Sequence, residues 1–419
     1  MVIGRMEING YFLFIAITVI GFYLLDVVSN LLNLRALKPE LPSEFEDVFD
    51  NEKYAQSQAY TRETTKFGLL ESTFSLIVFL LFWWLGGFQW LDAQVRSFEF
   101  GPIVTGLLFV AVLVVAGQIL SLPFNLYDTF VIEENYGFNK MSGKTFVTDF
   151  VKNLFLSVLL GLPIFALLLY LFQSPAFGNV AWLVAWIATT VFQLFLLFVY
   201  PKWILPMFNK FVPLEDGELR EGIEAMAKKC DFPLTGVFEM DGSKRSTKSN
   251  AYFAGFGKHK KIALFDTLIK KHTVPELVAV LAHEIGHFKK KHILKTLVLG
   301  ILQMGFIFYL LGLFLNNRSL FDAFGVQETS VYLSFVFFSF LLSPLSKLIG
   351  VGMAIFSRKN EFEADAFAVD VTGSATPLIT ALKSLSKENL SNLTPHPFYV
   401  FINYSHPPMT ARLAALRAL

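Results

Sequence analysis

Seven stretches of this chain are apolar around the whole helical circumference, and they set the order of everything else. They cover residues 11–32, 68–88, 102–122, 151–172, 180–200, 293–315 and 331–356. A hydrocarbon core of ~30 Å needs about 20 residues of helix, so each run predicts a membrane-crossing helix. The first run is too long for a secretory signal and no small-residue cleavage site follows it, so it predicts an anchor that stays. The polar pieces between runs are short except for 201–292 and 357–419, where water-soluble chemistry is to be sought. The expected organisation is therefore spans one to five in 1–200, a first polar segment in 201–292, spans six and seven in 293–356, and a second polar segment in 357–419, the two polar segments being where any catalytic residues are to be sought.

Within 201–292 the pattern changes from continuous to periodic. Leu219, Ile223, Ala225 and Met226 have helical spacing, and Asp231-Phe232-Pro233 stops that helix. Residues 236–240, 251–256 and 261–265 have strand character and are separated by glycine and charge, which predicts a small sheet. Thr273 and Glu276 have capping-box spacing, with Pro275 in the first turn, so a new helix starts there. No breaker is read before the sixth apolar run, so this helix is expected to continue into the membrane. Ten residues at ~1.5 Å each would then put its histidines roughly 15 Å from the apolar run.

Composition agrees with the pattern. Of 419 residues, 54% are hydrophobic and 16% charged, and 47 are phenylalanine; a soluble chain carries about a quarter charged residues. The net charge of +1 argues against a nucleic-acid partner. A single cysteine, Cys230, excludes an internal disulfide and a cysteine-built metal site, so any metal must be held by histidine and carboxylate. Seven spans put only Arg5, Arg96 and Arg318 on one side of the bilayer and thirty lysines and arginines on the other, with Lys295 and Lys347 inside spans. The positive-inside rule then puts the N-terminus outside and both soluble segments in the cytoplasm.

The chemistry centres on His283-Glu284-Ile285-Gly286-His287. Histidines four apart on a helix share a face and can present ring nitrogens to one metal, while the glutamate between them can take the proton of a water held there. A hydrolytic zinc site has three protein ligands and one open position. The third ligand is sought just after the last span, among Glu361, Glu363, Asp365 and Asp370. Glu361 and Asp365 are one turn apart and can both face the metal helix, one as ligand and the other orienting a histidine or exchanging protons. Glu363 lies off that face.

Taken together, these pieces resemble the CAAX prenyl protease 1 family of integral-membrane zinc metalloproteases, nearly end to end. The resemblance rests on Leu122-Pro-Phe-Asn-Leu-Tyr127, Phe130-Val-Ile-Glu-Glu-Asn-Tyr-Gly-Phe-Asn139, Ser249-Asn-Ala-Tyr-Phe253, Leu264-Phe-Asp-Thr-Leu268, the zinc motif with His292, Ser357-Arg-Lys-Asn-Glu-Phe-Glu-Ala-Asp-Ala366 and Ser405-His-Pro-Pro408. It implies an all-α polytopic fold of seven helices enclosing a water-filled chamber, capped by a cytoplasmic gluzincin-like zinc metalloprotease domain with a small β-sheet. It implies one zinc per chain on His283, His287 and Glu361, with Glu284 as general base and Asp365 as the acidic group of the second motif. By the same resemblance Asn250 and Ala251 lie on an edge strand that hydrogen-bonds the substrate backbone. His406 and Arg412 resemble a pair that steadies the oxyanion. His292 reads as structural, and His259, His272 and His396 have no motif support.

The implied substrate is a peptide ending in a prenylated C-a-a-X sequence, whose lipid reaches the site from the bilayer. A membrane quality-control zinc protease with no prenyl requirement uses the same residues, and a non-catalytic seven-span transporter or receptor is the reading from another class. The short loops and the ending Leu416-Arg-Ala-Leu419 lean toward a bacterial inner membrane rather than the endoplasmic reticulum. Nothing in the spacing fixes an oligomeric state.

Overall fold

The seven apolar runs form seven helices: Gly10–Arg35, Asn51–Trp84, Pro102–Asn135, Gly143–Gln173, Gly178–Phe208, His292–Phe314 and Val331–Thr372. The structure, a computed structural model, describes residues 6–254 and 260–419. Arg5, His259 and the 255–256 end of one predicted strand lie outside the described residues.

Spans one, two and four begin at side-chain caps and span three at a proline; five of the seven end later than their apolar runs, while spans two and six stop just short of theirs, at Trp84 and Phe314. Asn9, Asp50 and Ser142 accept hydrogen bonds from the N–H groups of Phe12, Lys53 and Thr145 respectively, and Pro102 opens span three. Span two accordingly starts at Asn51, and its polar first half extends beyond the apolar run. Spans three, four and five each contain a π-turn, at Asp128–Ile132, Ser157–Gly161 and Tyr200–Ile204. All three turns contribute to the wall of one cavity of about 640 Å³. Span seven is the longest helix, 42 residues or about 63 Å. It stops at Gly373, whose φ of +80° favours glycine.

Only 6% to 17% of residues in the apolar windows of the spans are buried within the protein itself. The exception is the end of the bundle opposite the soluble segments. There Trp83, Phe88, Phe109, Phe324 and Phe337 are buried together, and Phe324 stacks on Phe337 at 3.9 Å.

The soluble segments form one folded unit. Its sheet has four strands in the order β1 (Phe211–Pro213), β2 (Leu234–Met240), β4 (Lys260–Phe265), β3 (Ala251–Ala254). β2 and β4 run parallel, while β1 and β3 pair antiparallel at the two edges. Three strands match the sequence expectation; β1 was not anticipated, because three residues are too few to show alternation. Ile223, Ile262, Leu264, Leu277, Leu281, Ile285, Ala368 and Leu382 form the core that binds the sheet to helix Val274–Lys289 and to the far end of span seven.

One expectation fails. Helix Val274–Lys289 does not run on into span six: it stops at Lys290, Lys291 takes φ +58°, and a new helix starts at His292. The partial negative charge of a helix C-terminus favours the run Lys289-Lys290-Lys291, and the Lys289 ammonium also donates to the Asp231 carbonyl at 3.0 Å. The break has a second consequence. In a continuous helix His292 would sit about 140° around from His287; after the turn, their Nδ1 atoms are 3.0 Å apart.

Candidate active site

Helix Val274–Lys289 starts with the predicted capping box, Thr273 N–H donating to Glu276 at 2.8 Å. It lies so close to span seven that a Cβ on Gly286 would be 3.1 Å from the Ala364 backbone. This close approach brings the two motifs together. His283 Nε2 and His287 Nε2 are 3.2 Å apart, and they lie 3.6 Å and 3.3 Å from the two carboxylate oxygens of Glu361. Bonds of about 2.0–2.1 Å in a tetrahedron put donor atoms roughly 3.3 Å apart, so these three groups fit a single ion with one position open.

The surrounding hydrogen bonds fix how the donors are presented. Asp365, 2% exposed, lies 2.8 Å from His283 Nδ1, so that nitrogen donates and leaves Nε2 bare. Arg412 grips the same carboxylate through Nε at 2.8 Å and Nη2 at 2.5 Å. Its third nitrogen, Nη1, is 3.3 Å from Glu361. The guanidinium is thus committed to two carboxylates. His406 Nδ1 meets Glu361 at 3.0 Å, its ring otherwise largely exposed, and that hydrogen bond raises the imidazole pKa above its ordinary value.

Glu284 faces a pocket of about 200 Å³ lined by Ala251, Lys260, His287, Phe288, Phe232 and Ile293. Burial raises its carboxyl pKa, against the pull of His283, His287 and Arg412. From edge strand β3 the pocket is reached by Ala251, the first residue of the strand, and the outer side of β3 has no sheet neighbour among the described residues.

Comparisons with known proteins agree with this geometry. Residues 30–210 match the family described as CAAX prenyl protease N-terminal, five membrane helices, and residues 213–419 match Peptidase family M48. The chain is 38% identical to a CAAX prenyl protease 1 homolog of Arabidopsis thaliana, covering 95% of this chain and 96% of that protein. The chain belongs to the CAAX prenyl protease 1 family. It is 35% identical to CAAX prenyl protease 1 of Saccharomyces cerevisiae, covering 90% of this chain and 88% of that one. The crystal structure of S. mikatae Ste24p superposes with a TM-score of 0.92 at 33% identity, covering 98% of this chain and all of that one. The protein is an integral, multi-pass membrane metalloendopeptidase that acts on peptides.

The hydrogen bonds around His287 extend to two residues that the sequence set aside, His292 as structural and Glu363 as off the ligand face. His292, read as structural, contacts the other ring nitrogen of His287, and its own Nε2 meets Glu363 at 3.1 Å. If His287 Nε2 holds a metal, its Nδ1 donates to His292 and His292 donates to Glu363, a chain of consistent tautomers. The signal was available in the spacing His287 to His292, but only the helix break makes it work.

Proposed function

We propose that His283, His287 and Glu361 hold one zinc ion and that the protein hydrolyses peptide bonds near the C-terminus of prenylated C-a-a-X substrates. The observation that carries this reading is three donor atoms at tetrahedral spacing beside the half-buried Glu284, in a pocket that also reaches Ala251 at the start of edge strand β3. The His, His, Glu donor set with one open position favours a hydrolytic zinc site. When bound, zinc supplies a Lewis acid and lowers the pKa of water from about 16 to about 7.

The chain's own residues carry the proton and the geometry. Glu284 takes the proton of the attacking water and returns it to the leaving amine. Asp365 keeps His283 in the tautomer that presents Nε2, and Arg412 holds Asp365 and Glu361 in place while neutralising them. His406, exposed beside Glu361, donates to the developing oxyanion, with Arg412 contributing its charge from behind. Asn250 and Ala251 receive the substrate backbone at the edge of the sheet.

The names of the relatives support the C-a-a-X substrate, and the distribution of lysine and arginine supports a cytoplasmic catalytic face with the N-terminus outside. The prenyl chain would reach the pocket from the bilayer, through the interior of the spans, which we take to be a water-filled chamber. Residues 201–292 and 357–419 then act as one catalytic cap over spans one to seven.

Matched farnesylated and unfarnesylated C-a-a-X peptides test the reading, with Glu284→Gln and a zinc chelator as controls. Metal-dependent cleavage favouring the farnesylated peptide is expected, with Glu284→Gln retaining metal but losing turnover. Equal cleavage of both peptides would replace the prenyl requirement with a broader quality-control specificity.

A further inference from the structure

The stretch Phe130-Val-Ile-Glu-Glu-Asn-Tyr-Gly-Phe-Asn139, so far without a role, packs against residues 245–250, which lead directly into edge strand β3. Backbone bonds join the two stretches: Thr247 N–H donates to Phe138 O at 3.0 Å, and Lys140 N–H to Arg245 O at 3.0 Å. At the centre is Lys248. Its ammonium donates to Glu133 at 2.9 Å and to the Tyr60 hydroxyl at 2.9 Å, and it sits 4.4 Å over the Phe138 ring. Tyr60 in turn donates to Glu133 at 2.5 Å. All three ammonium hydrogens thus have partners on spans two and three or on the loop that follows span three.

The backbone of the same residue is tied to the sheet. Lys248 O accepts from Thr267 Oγ1 at 3.1 Å, and two residues on, Asn250 O accepts from Phe265 N–H at 3.1 Å. Ala251, where β3 begins, pairs with Leu264. Three extended residues span at most about 10 Å, so a displacement at Lys248 has little chain in which to dissipate before β3.

We infer that Lys248, held by Glu133 and Tyr60, is a positioning residue that sets edge strand β3 against the metal ligands, so that spans two and three fix where a peptide backbone lies. This rests on the reading of Asn250 and Ala251 as the substrate strand. A plain fold staple is the rival account, and the structure argues against it. The catalytic unit is docked to the membrane part elsewhere, by Lys383 with Asp47 at 2.7 Å and by Arg245 with Asp149 at 2.7 Å. Lys248 is the anchor nearest β3, so its loss leaves docking in place and lets the strand move.

Kinetics on a fluorogenic farnesylated C-a-a-X peptide test this in the full-length, metal-loaded protein. Lys248→Met raises KM about ten-fold with kcat within about two-fold, the signature of lost uniform substrate binding. Metal content, inhibition by 1,10-phenanthroline and melting temperature stay as in wild type. Glu133→Gln moves KM in the same direction, and Lys248→Arg, which keeps the charge, restores most of it. An unchanged KM in Lys248→Met, or a fall in kcat that tracks lost metal or a lowered melting temperature, overturns the inference. Asn250→Ala separates the two layers. If it raises KM while Lys248→Met does not, only the positioning role falls; if neither raises KM, the substrate-strand reading falls and the inference falls with it.

Discussion

Near each end of span seven lies a buried aspartate with an arginine partner, Asp92 on the helix Gly87–Arg96 and Asp365 on span seven itself, and the two clusters look alike until their third partners are compared. At one end Asp92 accepts from Arg96 Nε at 2.7 Å and from the Tyr332 hydroxyl. At the other, Asp365 accepts from Arg412 Nε at 2.8 Å and from His283 Nδ1 at 2.8 Å. Both carboxylates are 2% exposed. Residues 332 and 365 are 33 positions apart on one helix, about 50 Å at ~1.5 Å each. Tyr332 has a single polar side-chain atom, already given to Asp92, and its ring packs on Phe109, whereas His283 has a second nitrogen that reaches two further donor atoms. The same device, a buried carboxylate held by arginine, is a structural tie where its partner is terminal and an aiming device where its partner has another atom to present.

The largest expected effect separates ligand from support at the metal end. Glu361→Ala removes a donor within reach of both histidines and should lower metal affinity by more than about 100-fold. Glu363→Ala removes a partner of His292 and of Lys359 but no donor atom of the candidate metal group, and should cost less than about ten-fold. Metal content after dialysis against graded chelator checks this; equal losses in both variants would take Glu361 out of the ligand set.

Next comes the matched pair that the two ends offer. Asp365→Asn leaves the fold in place but removes the acceptor that fixes the His283 tautomer, and it should lower metal affinity about 10–100-fold. Asp92→Asn, the same change in a similar setting, should leave metal affinity and peptide hydrolysis unaltered. If Asp92→Asn reduced metal binding as Asp365→Asn does, span seven would transmit strain along its length, and the distinction between tie and aiming device would be lost.

A smaller effect is expected at His292→Phe. It keeps the ring's bulk but removes the nitrogen 3.0 Å from His287, and should weaken metal binding several-fold, up to about ten-fold, without loss of folded protein. The histidine chain is wrong if chelator titrations of His292→Phe and wild type superimpose.

How much of this was legible follows the same division. The seven spans, the zinc motif, the capping box at Thr273 and the pairing of Glu361 with Asp365 could be read because each depends on local period or fixed spacing. The break at Lys291 could not. Lysine is a good helix former, and the turn is stabilised by groups distant in sequence, such as the Asp231 carbonyl. Asp92 and Tyr332 are 240 positions apart with no motif between them, so their contact was invisible. Lys248 was one basic residue among sixteen in its segment, distinguished only once Glu133 and Tyr60 were brought to it. Among the described residues, pairings within one helix could be read from their spacing, whereas the contacts of Tyr332 with Asp92 and of Lys248 with Glu133, between distant stretches, could not.

The smallest prediction concerns pH at the Asp92 end. Burial holds the Asp92 carboxyl above the ordinary carboxylate value, outweighing its bonds from Tyr332 and Arg96. A carboxyl whose folded pKa lies above its unfolded one binds more protons in the folded state over that interval. Its contribution to stability is therefore fully present below about pH 4, the ordinary value, and is lost as pH rises through the folded pKa. Asp92→Asn cannot ionise and removes this slope. Melting temperatures of wild type and Asp92→Asn, compared from about pH 4 to about pH 8, should therefore shift in the variant's favour as pH rises, by at most a few degrees. A difference that stays constant across that range, or moves toward wild type, would mean that Arg96 stabilises the ionised carboxylate more than burial opposes it. The tie would then be an ordinary ion pair, closer in character to the Asp365 end than its phenylalanine surroundings suggest.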